Sequence, residues 1–189
     1  MNVILGSASR SRKCVLNRAG YNFRVMTADI DEKAIRFNDP KKLVLTLANA
    51  KADALLPKIN EPAILITADQ VVFCNAKIRE KPESENEARA FLESYAQYPA
   101  ECVNGVAITN TQTKKRITEL NISKIYFRPI PVNVINQLIK EGGIFAQAGS
   151  FSAEDPLIEP YVEKIEGTLD SIMGLPMELV ARLIDEVKN

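Results

Sequence analysis

The chain has 189 residues, 46% hydrophobic and 25% charged, which is an ordinary balance for a globular protein long enough to bury most of its apolar surface. Its 24 basic residues match its 24 acidic ones, so no overall field recruits nucleic acid or an anionic membrane, and any anion site must be local. Histidine is absent, which excludes a Ser-His-Asp or Cys-His nucleophile and a histidine-ligated metal. An enzyme built from this chain would work with carboxylates, lysines, arginines and a hard cation held by oxygen. No apolar run reaches membrane-spanning length, and the segment holding Arg10, Arg12 and Lys13 has no signal-peptide core, so the expectation is a soluble, cytoplasmic protein. Cys14, Cys74 and Cys102 are widely spaced and read as reduced, semi-buried thiols.

In chain order, Asn2-Val3-Ile4-Leu5 is a short apolar run ending at Gly6-Ser7-Ala8-Ser9, after which Cys14, Val15, Leu16 and Ala19 fall on one face of a helix. Strand, small-residue loop and helix place backbone N–H groups where a phosphate can sit; the plainer reading is a Ser-capped helix after an edge strand. Tyr21 to Thr27 alternates as a second strand with Phe23 and Val25 inward. Asp29-Ile30-Asp31-Glu32 is either a solvated turn and cap, or part of a metal site completed by a carboxylate from elsewhere, for which Asp69 is the candidate. Asp39-Pro40 opens a long helix with Leu43, Val44, Leu47, Ala48 and Leu55 on its apolar face, and on spacing alone Lys51 reads as surface charge.

Residues 64–73, Ile-Leu-Ile-Thr-Ala-Asp-Gln-Val-Val-Phe, read as a buried strand interrupted by polar groups. A carboxylate in such a run is costly unless paired, hydrogen-bonded or metal-bound, so Asp69 is either a solved structural problem or a site. Asn75-Ala76 turns the chain into a second short strand closed by Lys81-Pro82. Glu85 to Tyr95 is a helix with Ala88, Phe91 and Leu92 inward and Glu85, Glu87 and Glu93 outward; Cys102 to Thr109 and Arg116 to Phe127 form a hairpin. Pro131 to Lys140 is a helix ended by Gly142-Gly143, and Ala148 to Glu154 is a small-residue loop or strand with one acid. Gly174-Leu175-Pro176 caps a final amphipathic helix, Met177 to Val187. The pattern is mixed α/β, with too many hairpins for a purely parallel sheet.

Taken together, these landmarks resemble the Maf-like (septum formation inhibitor) nucleoside triphosphate pyrophosphatases. Gly6-Ser7-Ala8-Ser9 followed by Arg12 is similar to the family's S-x-S-P-R-R loop, Asp29-Ile30-Asp31-Glu32 to its D-I-D-E, and Leu47-Ala48 to Lys51-Ala52 to its L-A-x-x-K-A. Ala68-Asp69-Gln70-Val71-Val72 matches A-D-[TQ]-V-V, Lys81-Pro82 the end of G-K-P, and Ala148-Gly149 and Gly174-Leu175-Pro176 two further landmarks. The resemblance spans nearly the whole chain as one domain, 1–189. It implies a single two-lobed α/β body with an elongated mixed sheet flanked by helices around a central cleft, a form shared with inosine triphosphate pyrophosphatases, and a homodimer. It also implies hydrolysis of a nucleoside triphosphate between the α- and β-phosphorus with Mg²⁺, Mn²⁺ or Co²⁺. Carried over by residue, Asp69 is the catalytic acid position, Glu32 a carboxylate on the metal side with Asp69, and Ser7, Arg12, Lys51 and Lys81 the triphosphate contacts.

The chain departs from the family pattern in several places. Arg10-Ser11 stand for proline and arginine, Thr46 for an arginine, Glu80 for a glycine and Gln147 for a lysine, and Arg10 or Arg79 are the cations at hand to compensate. Gln70 and Glu154 place the chain nearer the branch associated with 7-methylguanosine triphosphate, and partly with UTP and CTP, than the dTTP/UTP branch. A carboxylate at position 154 that reached the base would suit the N1–H and 2-amino donors of a guanine. Rival expectations are a catalytically weak nucleotide-binding regulator of cell division and a pyrophosphatase for other damaged purine triphosphates.

Overall fold

The computed structural model describes residues 2–188. Strands β1 (Asn2–Leu5), β2 (Phe23–Val25), β3 (Ala63–Cys74), β5 (Ala100–Asn110), β6 (Arg116–Phe127) and β7 (Val162–Glu166) form a sheet of order β2-β1-β3-β5-β6-β7, and β4 (Lys77–Arg79) pairs with the end of β3. β1 runs parallel to β2 and β3, whereas β4 is antiparallel to β3 and β7 to β6, so the sheet is mixed, as the hairpin signals require. The helices are α1 (Arg10–Arg18), α2 (Pro40–Leu55), α3 (Glu85–Ser94), α4 (Val132–Glu141), α5 (Leu169–Ile172) and α6 (Met177–Lys188). Among the described residues, no helix is long and apolar enough to cross a membrane.

The chain divides into two compact units, the first made of 1–70, 104–121 and 173–189 and the second of 71–103 and 122–172. In the first unit the period of two along β3 sorts its residues between two cores. Ile64, Ile66 and Ala68 join Val15 and Leu16 of α1 and Leu179, Val180, Leu183 and Ile184 of α6. Ala63 and Leu65 join Ile4 of β1 and Ala52 and Leu55 of α2 on the opposite face. Beneath α2, Gly105 of β5 lets the backbones approach so closely that a Cβ there would stand 2.5 Å from the Val44 carbonyl. The last turn of α6 is held by Asn110 Nδ2 donating to the Val187 carbonyl and Lys115 Nζ donating to that of Glu186.

In the second unit, Val72 and Cys74 of β3, Ala88 and Leu92 of α3, Ile125 and Phe127 of β6 and Ile135 and Leu138 of α4 enclose one core. At its centre Tyr95, Phe127 and Phe151 pack with ring centroids 5.2–5.5 Å apart. The hairpin turn after β3 has Asn75 at φ 48 and Ala76 at φ 58, the left-handed pair that a two-residue connection of matching twist demands.

Several expectations need correction. β2 is a three-residue edge strand, and Val25 faces solvent at 40% exposure rather than inward, because no layer covers that edge. Of the two readings of residues 148–154, the loop holds: a short 3-10 turn, Ala148–Ser150, is followed by a further turn and no strand. α5, four residues long, escaped the pattern reading because it offers no full period. The three cysteines are unbridged, as expected, but only Cys14 is half-buried, Cys74 and Cys102 being fully buried.

Candidate functional site

The packing of α2 on β3 brings the first candidate residues together. Thr67 and Asp69 stand two apart on the face of β3 that Leu65 shares, and Ala48 and Lys51 lie one turn apart on α2. Thr67 Oγ1 donates to the Ala48 carbonyl at 2.8 Å, and Lys51 Nζ donates to Asp69 Oδ1 at 2.6 Å. The side chains of Lys51 and Asp69 are only 10% and 11% exposed. Lys51 therefore lies in the buried stripe of α2 with Leu47, Ala48 and Leu55, which corrects the reading of it as surface charge. Its ammonium also lies 3.1 Å from Glu32 Oε1, whose side chain is 53% exposed. Glu32 comes from a 3-10 turn, Glu32–Ala34, that Asp31 caps by accepting from the Lys33 and Ala34 N–H groups. Of the two readings of the acidic cluster, Asp31 takes the cap while Glu32 reaches the cation that Asp69 also holds.

Arg12 is 8% exposed and reaches the carbonyl of Ala68, the residue before Asp69. Its Nε donates to the Gly174 carbonyl at 2.9 Å, and its Nη1 to the Ala68 carbonyl at 2.9 Å and to Ser7 Oγ at 3.2 Å. Burial draws the guanidinium below its ordinary pKa, and the fields of Asp69 and Glu32 act in the opposite direction, which places both carboxylates within electrostatic reach of it. Ser7 Oγ also accepts from the Ser9 N–H, and Ser9 caps α1 by accepting from the Arg12 N–H, so the small-residue loop is fixed at both ends. Gln70 packs with Arg12 against Gly174, where a Cβ would stand 3.2 Å from Gln70 Oε1 and 3.3 Å from Arg12 Nε. Ser7, Arg12, Glu32, Lys51, Asp69 and Gln70 thus all belong to the first unit.

Lys81 and Glu154 belong to the second unit. Lys81 is exposed just past β4, ahead of buried Pro82, and Glu154 is half-buried in the turn after Phe151. Arg10 is exposed at the first turn of α1. Arg79 is not a free surface cation: it is buried, and its Nη1 donates to the Phe91 carbonyl. The pattern reading passed over Thr67, whose hydroxyl sets α2 against β3 one turn before Lys51, and the two backbone carbonyls that orient Arg12. A hydroxyl two residues before a buried acid, on the same strand face, was the available signal.

As a metal site, the donor set is two carboxylates that already share one cation. Among the described residues there is no group of three or more histidine, cysteine, aspartate or glutamate side chains able to hold an ion. Two oxygen donors fit a hard divalent ion that keeps water and takes its remaining ligands from phosphate oxygens; they do not fit a closed protein cage.

The first unit thus carries a buried acid–lysine–arginine cluster beside a loop whose Ser9 caps α1. The family model described as Maf-like protein matches residues 2–187, and the chain belongs to that family. It is 42% identical over 194 residues to a 7-methyl-GTP pyrophosphatase of Dictyostelium discoideum, covering 99% of this chain and 98% of that one. It is 32% identical over 186 residues to a dTTP/UTP pyrophosphatase of Clostridium perfringens, covering 98% and 96%. It is also 31% identical over 185 residues to a nucleoside triphosphate pyrophosphatase of a Synechococcus species, covering 98% and 93%.

Proposed function

We propose that this protein is a nucleoside triphosphate pyrophosphatase, cleaving the α–β phosphoanhydride of its substrate to a nucleoside monophosphate and pyrophosphate. The observation that carries the reading is the buried Asp69–Lys51 pair flanked by Arg12 and Glu32: a costly concentration of charge that an α/β core does not need for its own packing. The names of the relatives point the same way.

In this reading Lys51 Nζ, held on Asp69 Oδ1, leaves the second carboxylate oxygen to orient a water and accept its proton as it attacks the α-phosphorus. Lys51 and Arg12 neutralise charge growing on the phosphate oxygens, with Arg12 pre-oriented by the Ser7, Ala68 and Gly174 oxygens. Ser7 offers its hydroxyl to the same oxygens, and Lys81 neutralises the departing pyrophosphate. Glu32 and Asp69 would hold a divalent ion, Mg²⁺, Mn²⁺ or Co²⁺, which when bound supplies Lewis acidity and charge screening. Gln70 and Glu154 are assigned to the base, with the acceptor pair of Glu154 favouring a guanine-type ring over a pyrimidine. The homodimer implied by the family resemblance belongs to the same proposal.

The test is pyrophosphate release across canonical and modified triphosphates, with and without each ion, for wild type, Asp69→Asn and Glu154→Gln. The expected result is ion-dependent release that Asp69→Asn lowers at least a hundredfold, and a guanine-to-uracil rate ratio that Glu154→Gln reduces. Nucleotide binding without release would favour the regulator, and full activity of Asp69→Asn would overturn the mechanism.

A further inference from the structure

In the second unit the Arg79 side chain is 6% exposed, and its guanidinium lies 4.9 Å from the centroid of the Phe91 ring and 4.8 Å from that of Tyr95. Nη1 donates to the Phe91 carbonyl at 3.2 Å, and no carboxylate among the described residues pairs with the group. A buried cation without a counter-ion is an unfavourable way to fill an apolar space; ring faces offset only part of the desolvation, and an aliphatic side chain of similar length fills it without that penalty. Stability alone does not account for an arginine here.

The tyrosine that the guanidinium stacks on is tied to the backbone beyond it. Tyr95 Oη donates to the Gly149 carbonyl at 2.8 Å, and the Gly149 N–H donates to the Glu80 carbonyl at 2.9 Å. Gly149 has φ +68, and a Cβ on it would stand 2.6 Å from Tyr95 Oη and 2.8 Å from Val72 Cγ2, so only glycine allows this approach. Val72 is in turn the cross-strand partner of Arg79. The contacts close a circuit from Arg79 through Tyr95 and Gly149 to the peptide joining Glu80 to Lys81.

We propose that Arg79 and Tyr95 are positioning residues for Lys81. The stacked guanidinium fixes the tyrosine ring, the tyrosine hydroxyl fixes the Gly149 peptide, and the Gly149 N–H fixes the Glu80–Lys81 peptide, so that the lysine leaves the backbone in one direction. This rests on the pyrophosphatase reading and on the role given there to Lys81. It predicts an unusual separation: the arginine is dispensable for the fold and needed for the rate.

The experiment uses Arg79→Met, Arg79→Lys, Tyr95→Phe, Lys81→Ala and the double variant Arg79→Met/Lys81→Ala. Amide exchange of Gly149 by NMR is the first measurement; it is expected to quicken at least tenfold in Arg79→Met and Tyr95→Phe, while the Tm of Arg79→Met stays at or above that of wild type. Pyrophosphate release is the second. Arg79→Met is expected to lower kcat at least tenfold with less than a threefold change in KM, Arg79→Lys to restore part of the rate, and Arg79→Met to change the Lys81→Ala rate less than twofold. Unchanged Gly149 exchange overturns the proposal, as does a loss on the Lys81→Ala background equal to that on wild type, or a fall in Tm that parallels the fall in rate. A wild-type protein without pyrophosphatase activity, or a fully active Lys81→Ala, overturns the functional reading beneath it and is recognised because the exchange measurement responds independently of turnover.

Discussion

Replacing Lys51 with methionine keeps the length of the side chain and removes its charge, leaving Asp69 without the cation that holds it. Breaking a buried ion pair by deleting one partner destabilises by ~3–5 kcal/mol. The lower end applies here, because Glu32 is 53% exposed and regains water, and the Arg12 charge still acts on Asp69. We expect Lys51→Met to lose about 3 kcal/mol, with the neutral double variant Lys51→Met/Asp69→Asn recovering about 2 of it as the stranded charge disappears. The chain has no tryptophan, so urea unfolding at pH 7 is best followed by far-UV circular dichroism. For a chain of this size the single variant corresponds to a Tm lower by roughly 6–12 °C. A Lys51→Met variant within about 0.5 kcal/mol of wild type, or two substitutions that add within that margin, would refute the claim that the pair is desolvated and coupled.

The approach of α2 to β5 gives a second expectation. Gly105→Ala places its Cβ 2.5 Å from the Val44 carbonyl carbon and oxygen, and because neither is a flexible side-chain end, the loss should be about 1–3 kcal/mol by urea unfolding. Gly143→Ala, which meets nothing within 4 Å, serves as the control and should be neutral or slightly stabilising; equal losses for both would show that the contact is not rigid. The buried thiols give a third. Burial pushes Cys102 up to about 12 and also raises Cys74, so the folded chain keeps the Cys102 thiol protonated at a pH where the unfolded chain, which ionises its thiols from pH ~8.5, loses the proton. The Cys102 contribution is therefore complete below that pH and declines as pH rises toward 12, with a limiting slope of ~1.4 kcal/mol per pH unit, and Cys74 acts in the same direction. Unfolding free energies between pH 8 and 10 should fall less steeply in Cys102→Ala, and an unchanged slope would rule out the buried thiol as a cause.

Asp69 was legible as a problem because a carboxylate inside an apolar run has to be solved by something, and α2 was legible from Asp39-Pro40 and the Leu43, Val44, Leu47, Ala48 spacing. The solution to Asp69 was not. It depends on the rotation of α2 that brings Lys51 over the strand, and that rotation is set by Leu65, Ala52, Leu55 and the Thr67–Ala48 hydrogen bond, all contacts between segments distant in sequence. Val25 misled because alternation states which residues share a face and not whether anything covers it. Arg79 misled for a related reason: a cation two residues from Lys81 looks available to a phosphate, and only the rings of Phe91 and Tyr95 show where it goes.

The first unit is assembled from three stretches of chain, and its core includes Leu179, Val180, Leu183 and Ile184 of α6. During synthesis, β1, α1 and β3 leave the ribosome long before that helix does, so the apolar face carrying Leu5, Ile64 and Ile66 must wait uncovered. Closing it needs contacts of large sequence separation, such as Asn110 to Val187, whose loop entropy is met before any burial rewards it. A nascent chain lacking α6 is therefore a natural client for a chaperone that binds exposed aliphatic strands.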